Sequence, residues 1–147
     1  MKVEGLEVLR CDAGWRNYHF LKLTTDQGIA GWSEFDEGFG SPGVSAVIER
    51  LADRVIGQPV SEHERVYAEL YCLTRPAAGG VVGEGLGAIE NALLDAKAKA
   101  LRVPCYACSA AKYATASAFT GRIAQPGASI TPLFTSRRSP ASMASKQ

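Results

Sequence analysis

The spacing of apolar residues changes along this chain, and the changes mark out its elements. In residues 2–10, KVEGLEVLR, Val3, Leu6 and Val8 stand among polar neighbours closely enough to predict a strand. Residues 11–17, CDAGWRN, carry turn-forming types and one large aromatic, and predict a loop. Residues 18–25, YHFLKLTT, predict a second strand, with Tyr18 and Phe20 alternating and Leu21 and Leu23 following. Asp26-Gln27-Gly28 is a tight turn, and residues 29–35, IAGWSEF, predict a third strand. Two short connections between three strands imply an antiparallel meander.

After Phe39 to Gly43, FGSPG, the period becomes helical. Val44, Val47, Ile48, Leu51 and Val55 form one apolar stripe, ended by Gly57-Gln58-Pro59. Ser61 with Glu64 three residues on has the form of a capping box opening a second helix, with Val66, Leu70 and Leu73 inward. Residues 75–83, RPAAGGVVG, read as a Gly-rich connection. The strongest helix signal runs over residues 83–106. Leu86, Ile89, Leu93 and Leu94 recur at helical spacing, with Ala96, Ala100 and Leu101 behind them and Pro104 as the stop. Strands first and helices after predict an α+β fold: a three-stranded antiparallel meander followed by a helical bundle packed on one face of it.

Beyond Tyr106 neither period persists, and residues 107–147 read as a largely disordered tail. Charge marks the same break. The last 46 residues carry six Lys/Arg and no Asp/Glu, so the first 101 carry a net charge of −5 within an overall +1. The domain reading is therefore residues 1–106 as one folded unit and 107–147 as a tail. The balanced total excludes a dedicated nucleic-acid binder. No stretch is long and apolar enough for a membrane span, and no leader pattern opens the chain, so the expected location is the cytoplasm. Cys11, Cys72, Cys105 and Cys108 show no framework spacing, and the lone Cys105-x-x-Cys108 pair is read as incidental rather than as a metal or redox site.

Two blocks carry a resemblance. Thr25-Asp26-Gln27-Gly28-Ile29-Ala30-Gly31-Trp32-Ser33-Glu34, and AIENALLDAKAKAL over 88–101 continued by Val103, Pro104 and Tyr106, resemble the N-terminal capping domain of the enolase superfamily. The likeness is to its mandelate racemase and muconate lactonizing enzyme branch, acid-sugar dehydratases in particular, and covers residues 1–106. The resemblance implies a cap that closes over a (β/α)-barrel. There, Mg²⁺ on three carboxylates assists removal of a proton beside a substrate carboxylate, in dehydration or racemisation. A barrel needs about 200 residues or more, so this chain is expected to lack catalytic residues and metal ligands and to be inactive alone. Mg²⁺ is expected only in an intact parent enzyme. Lys97-x-Lys99 lies on a helix and is read as a solvated edge.

The family continues past this point with a Leu-Gly-Gly turn and a strand. Residues 108–123, read one nucleotide earlier, permit Leu, Gly, Gly, Lys, Val, Arg, Asp, Arg, Ile, Arg, Val, Tyr, Trp, Ser, His. The tail is therefore read as disordered or as the product of a frameshift.

By the same resemblance the first loop reaches toward the substrate, which makes Trp15, Arg16 and Tyr18 candidate binding residues. A guanidinium and aromatic faces suit a polyhydroxy acid. Arg75 is a further candidate for an anionic group. The acidic residues Glu34, Asp36 and Glu37 are read as a solvated edge, His19 as structural, and Gly83-x-Gly85-x-Gly87 as a flexible loop. The expected partner is a small carboxylate, bound only with a barrel present. A second reading is a stand-alone binding or dimerisation module, a homo-oligomer joined through exposed apolar helix faces.

Overall fold

A computed structural model describes residues 1–38 and 41–109, and the backbone of residues 129–137. The meander is as expected. Strand β1 (Val3–Asp12) pairs antiparallel with β2 (Asn17–Thr25), and β2 with β3 (Ala30–Phe35). Helices α1 (Val44–Val55), α2 (His63–Thr74) and α3 (Gly80–Leu101) follow, then a four-residue turn of helix, α4 (Cys105–Cys108). Among the described residues no helix is long and apolar enough to cross a membrane.

One stretch of the tail differs from the disorder expected over 107–147. Ser129–Arg137 forms a fourth strand, β4, antiparallel to β1, and the sheet order is β3-β2-β1-β4. The pairing is long-range, so no local period in the sequence announces it. Pro132, which has no N–H, falls beside a register shift between Val8 and Leu9, where proline is tolerated. The tail's other residues from 110 onward lie outside the described residues.

The helices cover one face of the sheet. Leu6 and Val8 of β1 stand opposite Leu23 and Leu21 of β2, all buried beneath Val44, Ile48 and Val55 of α1 and Ile89, Ala92 and Leu93 of α3. The inward set of β2 is thus His19, Leu21, Leu23 and Thr25; Tyr18 and Phe20, with which the alternation was begun, face the other way. The helical period over 86–93 is correct but overextended at its end. Leu101 is 59% exposed, and Leu73, expected inward on α2, is 54% exposed.

Several local signals resolve differently from expectation. The capping box at Ser61 does not form, because Val60–Glu62 is a 3-10 turn that puts Ser61 inside a helical segment and leaves α2 without a side-chain cap. The glycines at 83, 85 and 87 lie within α3, not in a loop. A Cβ on Gly85 would come within 2.9 Å of Val47 Cγ1, so this glycine lets α1 and α3 approach. Gly31 does the same for sheet and helix, since a Cβ there would lie 2.1 Å from the Ala92 carbonyl oxygen. The end of α3 comes before Pro104: Arg102 adopts φ 56°, and its N–H bonds back to the carbonyls of Ala98 and Lys99.

Candidate functional site

The connection between β1 and β2 is short and held at both ends. The Asp12 carboxylate accepts the Gly14 N–H at 2.8 Å, and the Ala13 N–H reaches the Arg16 carbonyl at 3.0 Å. Gly14 takes φ +83°, which a glycine supplies at little cost. This turn carries Trp15 outward, 67% exposed, with its ring edge-on to Tyr18 at 6.1 Å and 85°. The Arg16 guanidinium lies 5.0 Å from the centre of the Tyr18 ring.

Arg16 also pairs with Asp36 just after β3, at 3.6 Å, with both side chains partly exposed. At that distance and exposure the pair orients more than it stabilises, at about 0.5 kcal/mol. Asp36 is in turn fixed by the Gly38 N–H at 2.9 Å. The loops after β1 and after β3 thus meet at one end of the sheet and present a cation, two aromatic rings and a carboxylate together. Trp15 and Arg16 of this turn both lie against the ring of Tyr18 at the start of β2. Arg75 stands apart, exposed at the head of a 3-10 turn (Arg75–Ala77) after α2, on a different element.

Behind this cluster lies a support that the sequence reading missed. Glu37 is no solvated acid. Its Oε1 accepts the N–H groups of Gly43 at 3.0 Å and Ser45 at 3.2 Å, and the Ser45 hydroxyl at 2.7 Å. It therefore caps the start of α1 from outside the helix, where a negative charge is favoured. Its Oε2 lies 4.0 Å from His19 Nε2, and the buried His19 ring stacks on Phe35 at 5.7 Å. The sequence signal was there, in an acid seven residues before a helix start bare of Asp or Asn, but only folding brings the two together.

Lys99 is likewise no free edge. Its ammonium donates to Asp95 at 2.6 Å and to the Ala30 carbonyl at 2.9 Å, while Asp95 accepts the Trp32 N–H at 2.8 Å. Asp95 and Lys99 thereby tie α3 to the outer edge of β3. Lys97 lies 3.3 Å from the Nδ1 of buried His63. The Cys105 thiol, 3.8 Å from Asp95, has its pKa pushed up by partial burial first and by the Asp95 charge second.

Among the described residues no group of three His, Cys, Asp or Glu is placed to hold a metal. Of the acids nearest the loop cluster, Asp36 has its Oδ1 engaged by Arg16 and Gly38, and Glu37 has its Oε1 engaged by Gly43 and Ser45. Among the described residues these two do not converge with a third ligand, as an octahedral Mg²⁺ site would ask. What the cluster can do is bind: a guanidinium for a carboxylate or hydroxyls, and a flat ring to lie against a carbon chain.

Residues 10–107 match the family model for the mandelate racemase / muconate lactonizing enzyme N-terminal domain. Among curated proteins, the D-galactonate dehydratase of Pectobacterium atrosepticum is 33% identical over 106 residues, which is 72% of this chain and 27% of that protein. Among solved structures, a candidate L-alanine-DL-glutamate epimerase from Burkholderia xenovorans superposes with a TM-score of 0.71 and 74% sequence identity, over 73% of this chain and 27% of that one. The same protein is also known bound to magnesium and fumarate. A mandelate racemase/muconate lactonizing protein from Paracoccus denitrificans, complexed with magnesium, has a TM-score of 0.65 and 27% identity, covering 72% of this chain and 29% of that one. This chain thus spans about a quarter (27%) of the length of the curated relatives it matches.

Proposed function

The chain belongs to the mandelate racemase / muconate lactonizing enzyme family as its N-terminal domain, and from that premise we propose that it is the substrate cap of an enzyme acting on a small carboxylate. Acid sugars are the favoured class, because the curated relative quoted above is a D-galactonate dehydratase. The fumarate held by the Burkholderia protein supports a carboxylate more generally. The parent chemistry is proton removal beside that carboxylate, leading to dehydration or racemisation.

The observation that carries the reading is the Trp15, Arg16 and Tyr18 cluster, projected from a braced turn and tethered to Asp36. In the proposal Arg16 binds oxygens of the substrate's distal end, Trp15 and Tyr18 cover its carbon chain and exclude water, and Arg75 supplies a second cationic contact. In this reading the metal and the bases belong to the barrel of an intact parent enzyme, and the chain by itself is expected to be inactive. The domain is assigned to residues 1–106 and the protein to the cytoplasm. The tail from 107 onward is assigned as disordered or frameshift-derived, and the coding DNA tests the second: downstream sequence lacking barrel-like character in the alternate frame refutes a frameshift.

A chimera tests the cap. Residues 1–106 are joined to the remainder of the Burkholderia relative, and turnover is assayed on acid sugars and on dipeptides. Arg16→Ala and Trp15→Ala are expected to raise KM roughly tenfold, the loss of about 1.4 kcal/mol of binding. Unchanged KM in both variants refutes the assignment. A second reading, a stand-alone module that dimerises through helix faces, draws on the exposure of Tyr71, Leu73, Leu101 and Tyr106. It requires a monodisperse dimer that Leu73→Lys and Leu101→Lys dissolve.

A further inference from the structure

The short helix α4 gives the Cys105-x-x-Cys108 spacing a geometry that the sequence alone did not. Cys105 and Cys108 are its first and last residues. The turn is closed by the Ala107 N–H on the Pro104 carbonyl at 2.9 Å and by the Ser109 N–H on the Cys105 carbonyl at 3.3 Å. Residues three apart on a helical turn share one side of it, with Cα atoms about 5 Å apart. That lies within the span a disulfide bridges, about 4.4–6.8 Å. Both thiols are free, Cys105 exposed and Cys108 partly so. They make an accessible pair, whereas Cys11 is buried on β1 and Cys72 is the single cysteine of α2.

The two thiols stand in different surroundings. Cys105 Sγ lies 3.8 Å from Asp95 Oδ1. Partial burial first, and the Asp95 charge second, push its pKa above the ordinary thiol value. The thiolate is the attacking form, so Cys105 is a slow first nucleophile and the first attack on a disulfide falls to Cys108.

We propose that Cys105 and Cys108 form a reversible redox site whose substrate is a low-molecular-weight disulfide, with Cys108 the attacking thiol and Cys105 the resolving one. With oxidised glutathione, the Cys108 thiolate attacks one sulfur, a mixed disulfide forms on Cys108, and one glutathione thiolate leaves. Cys105 then loses its proton to solvent and attacks the Cys108 sulfur. The bond between Cys108 and glutathione breaks, and the second glutathione leaves. The dithiol is oxidised by two electrons, the glutathione disulfide is reduced by two, and the two protons released from the thiols are taken up by the glutathione thiolates. Cys105 must turn away from Asp95 for this step. Asp95 holds the Trp32 N–H and Lys99 through its other oxygen, Oδ2, so the clamp on β3 remains. The bridged turn is only four residues long and constrains the unfolded chain far less than a long loop does, so oxidation marks the turn chemically without stapling the fold. This inference stands independently of the proposed enzymatic role.

The test is the folded full chain carrying Cys72→Ser, which removes the exposed thiol of α2. It is incubated with oxidised glutathione, quenched in acid, alkylated and digested with trypsin. The peptide of residues 103–112 holds both cysteines and is read by mass spectrometry. It is expected to lose two hydrogens and take up no alkyl group, and excess reduced glutathione should return the dithiol. With Cys105→Ser added, a glutathione adduct should accumulate on Cys108. With Cys108→Ser added instead, the adduct on Cys105 should form more slowly, by roughly threefold or greater, and Asp95→Asn should narrow that gap. In urea the two rates should converge, because the asymmetry belongs to the fold. Cys105→Ala and Cys108→Ala repeat the comparison if a serine variant loses its helical circular dichroism. Stable glutathione adducts without the internal bond overturn the proposal, as do equal rates in the two folded single variants, a faster Cys105, or an asymmetry that persists in urea.

Discussion

Three glycines test the packing of α3 against the rest of the fold, because they are alike in sequence and differ only in what lies over them. An added Cβ at Gly31 would stand 2.1 Å from the Ala92 carbonyl oxygen and 2.9 Å from the Ala96 Cβ. Carbon contacts are comfortable near 3.5 Å or more, and both neighbours belong to a helix backbone or its first carbon, so no rotamer change gives relief. The helix must back away from β3 by about 1 Å. Overpacking of this kind costs about 3 kcal/mol, which lowers the melting temperature of a domain this size by about 15 °C. At Gly85 the nearest atom is Val47 Cγ1 at 2.9 Å, a side-chain methyl that can move. The strain there, about 1 kcal/mol, is offset by the better helix propensity of alanine, and Gly85→Ala should melt within a few degrees of wild type. Nothing lies within 4 Å of Gly87, so Gly87→Ala should gain about 1 kcal/mol and raise the melting temperature by roughly 4–8 °C. Urea and thermal unfolding followed by circular dichroism read all three. A Gly31→Ala chain that melts with wild type would mean α3 does not lie so close to β3. A Gly87→Ala chain with no gain would mean that this stretch is not helical.

Other expectations follow from the same contacts. Asp95→Ala removes the acceptor for the Trp32 N–H and for Lys99; it should cost about 1–2 kcal/mol in urea unfolding and speed hydrogen exchange at Trp32, whereas unchanged exchange there would deny the tie between α3 and β3. Glu37→Ala removes three hydrogen bonds at the start of α1 and should cost about 1–2 kcal/mol, with Glu37→Gln retaining part of the loss because an amide oxygen still accepts. The Cys105 thiol is held protonated by burial and by Asp95, so its thiolate fraction is below that of an unstructured cysteine at any pH near its titration. Iodoacetamide should label it more slowly than a Cys105 peptide, and Asp95→Asn should speed the labelling; equal rates in all three would remove the electrostatic argument.

The family and the order of elements were readable because they rest on local chemistry. Alternation over 18–25, the tight turn at Gly28, and the 3-4 spacing from Val44 to Val55 each depend on neighbours within a few residues. The loop cluster was half readable: Trp15, Arg16 and Tyr18 are close in sequence, and a short turn brings them into contact in any hairpin. Asp36, the residue that tethers Arg16, lies across β2 and β3 and was read as part of a solvated acidic edge. Arg75 was a separate candidate on its charge alone, and charge carries no position.

What the sequence determined by itself is the list of elements, their order, and the side of each helix that becomes core, because hydrophobic period and turn chemistry act over short range. Even there it erred at ends such as Leu101 and Leu73, where the period continues past the point at which a neighbour is available to cover it. What tertiary structure alone decided is every pairing between distant residues. Glu37 became the cap of α1, Asp95 and Lys99 became the clamp on β3, Gly31 and Gly85 became points of contact, and β4 found the edge of β1. A hydrogen bond or a close approach has no sequence period, since its partner is fixed by the path of the backbone between, and that path exists only once the core has packed.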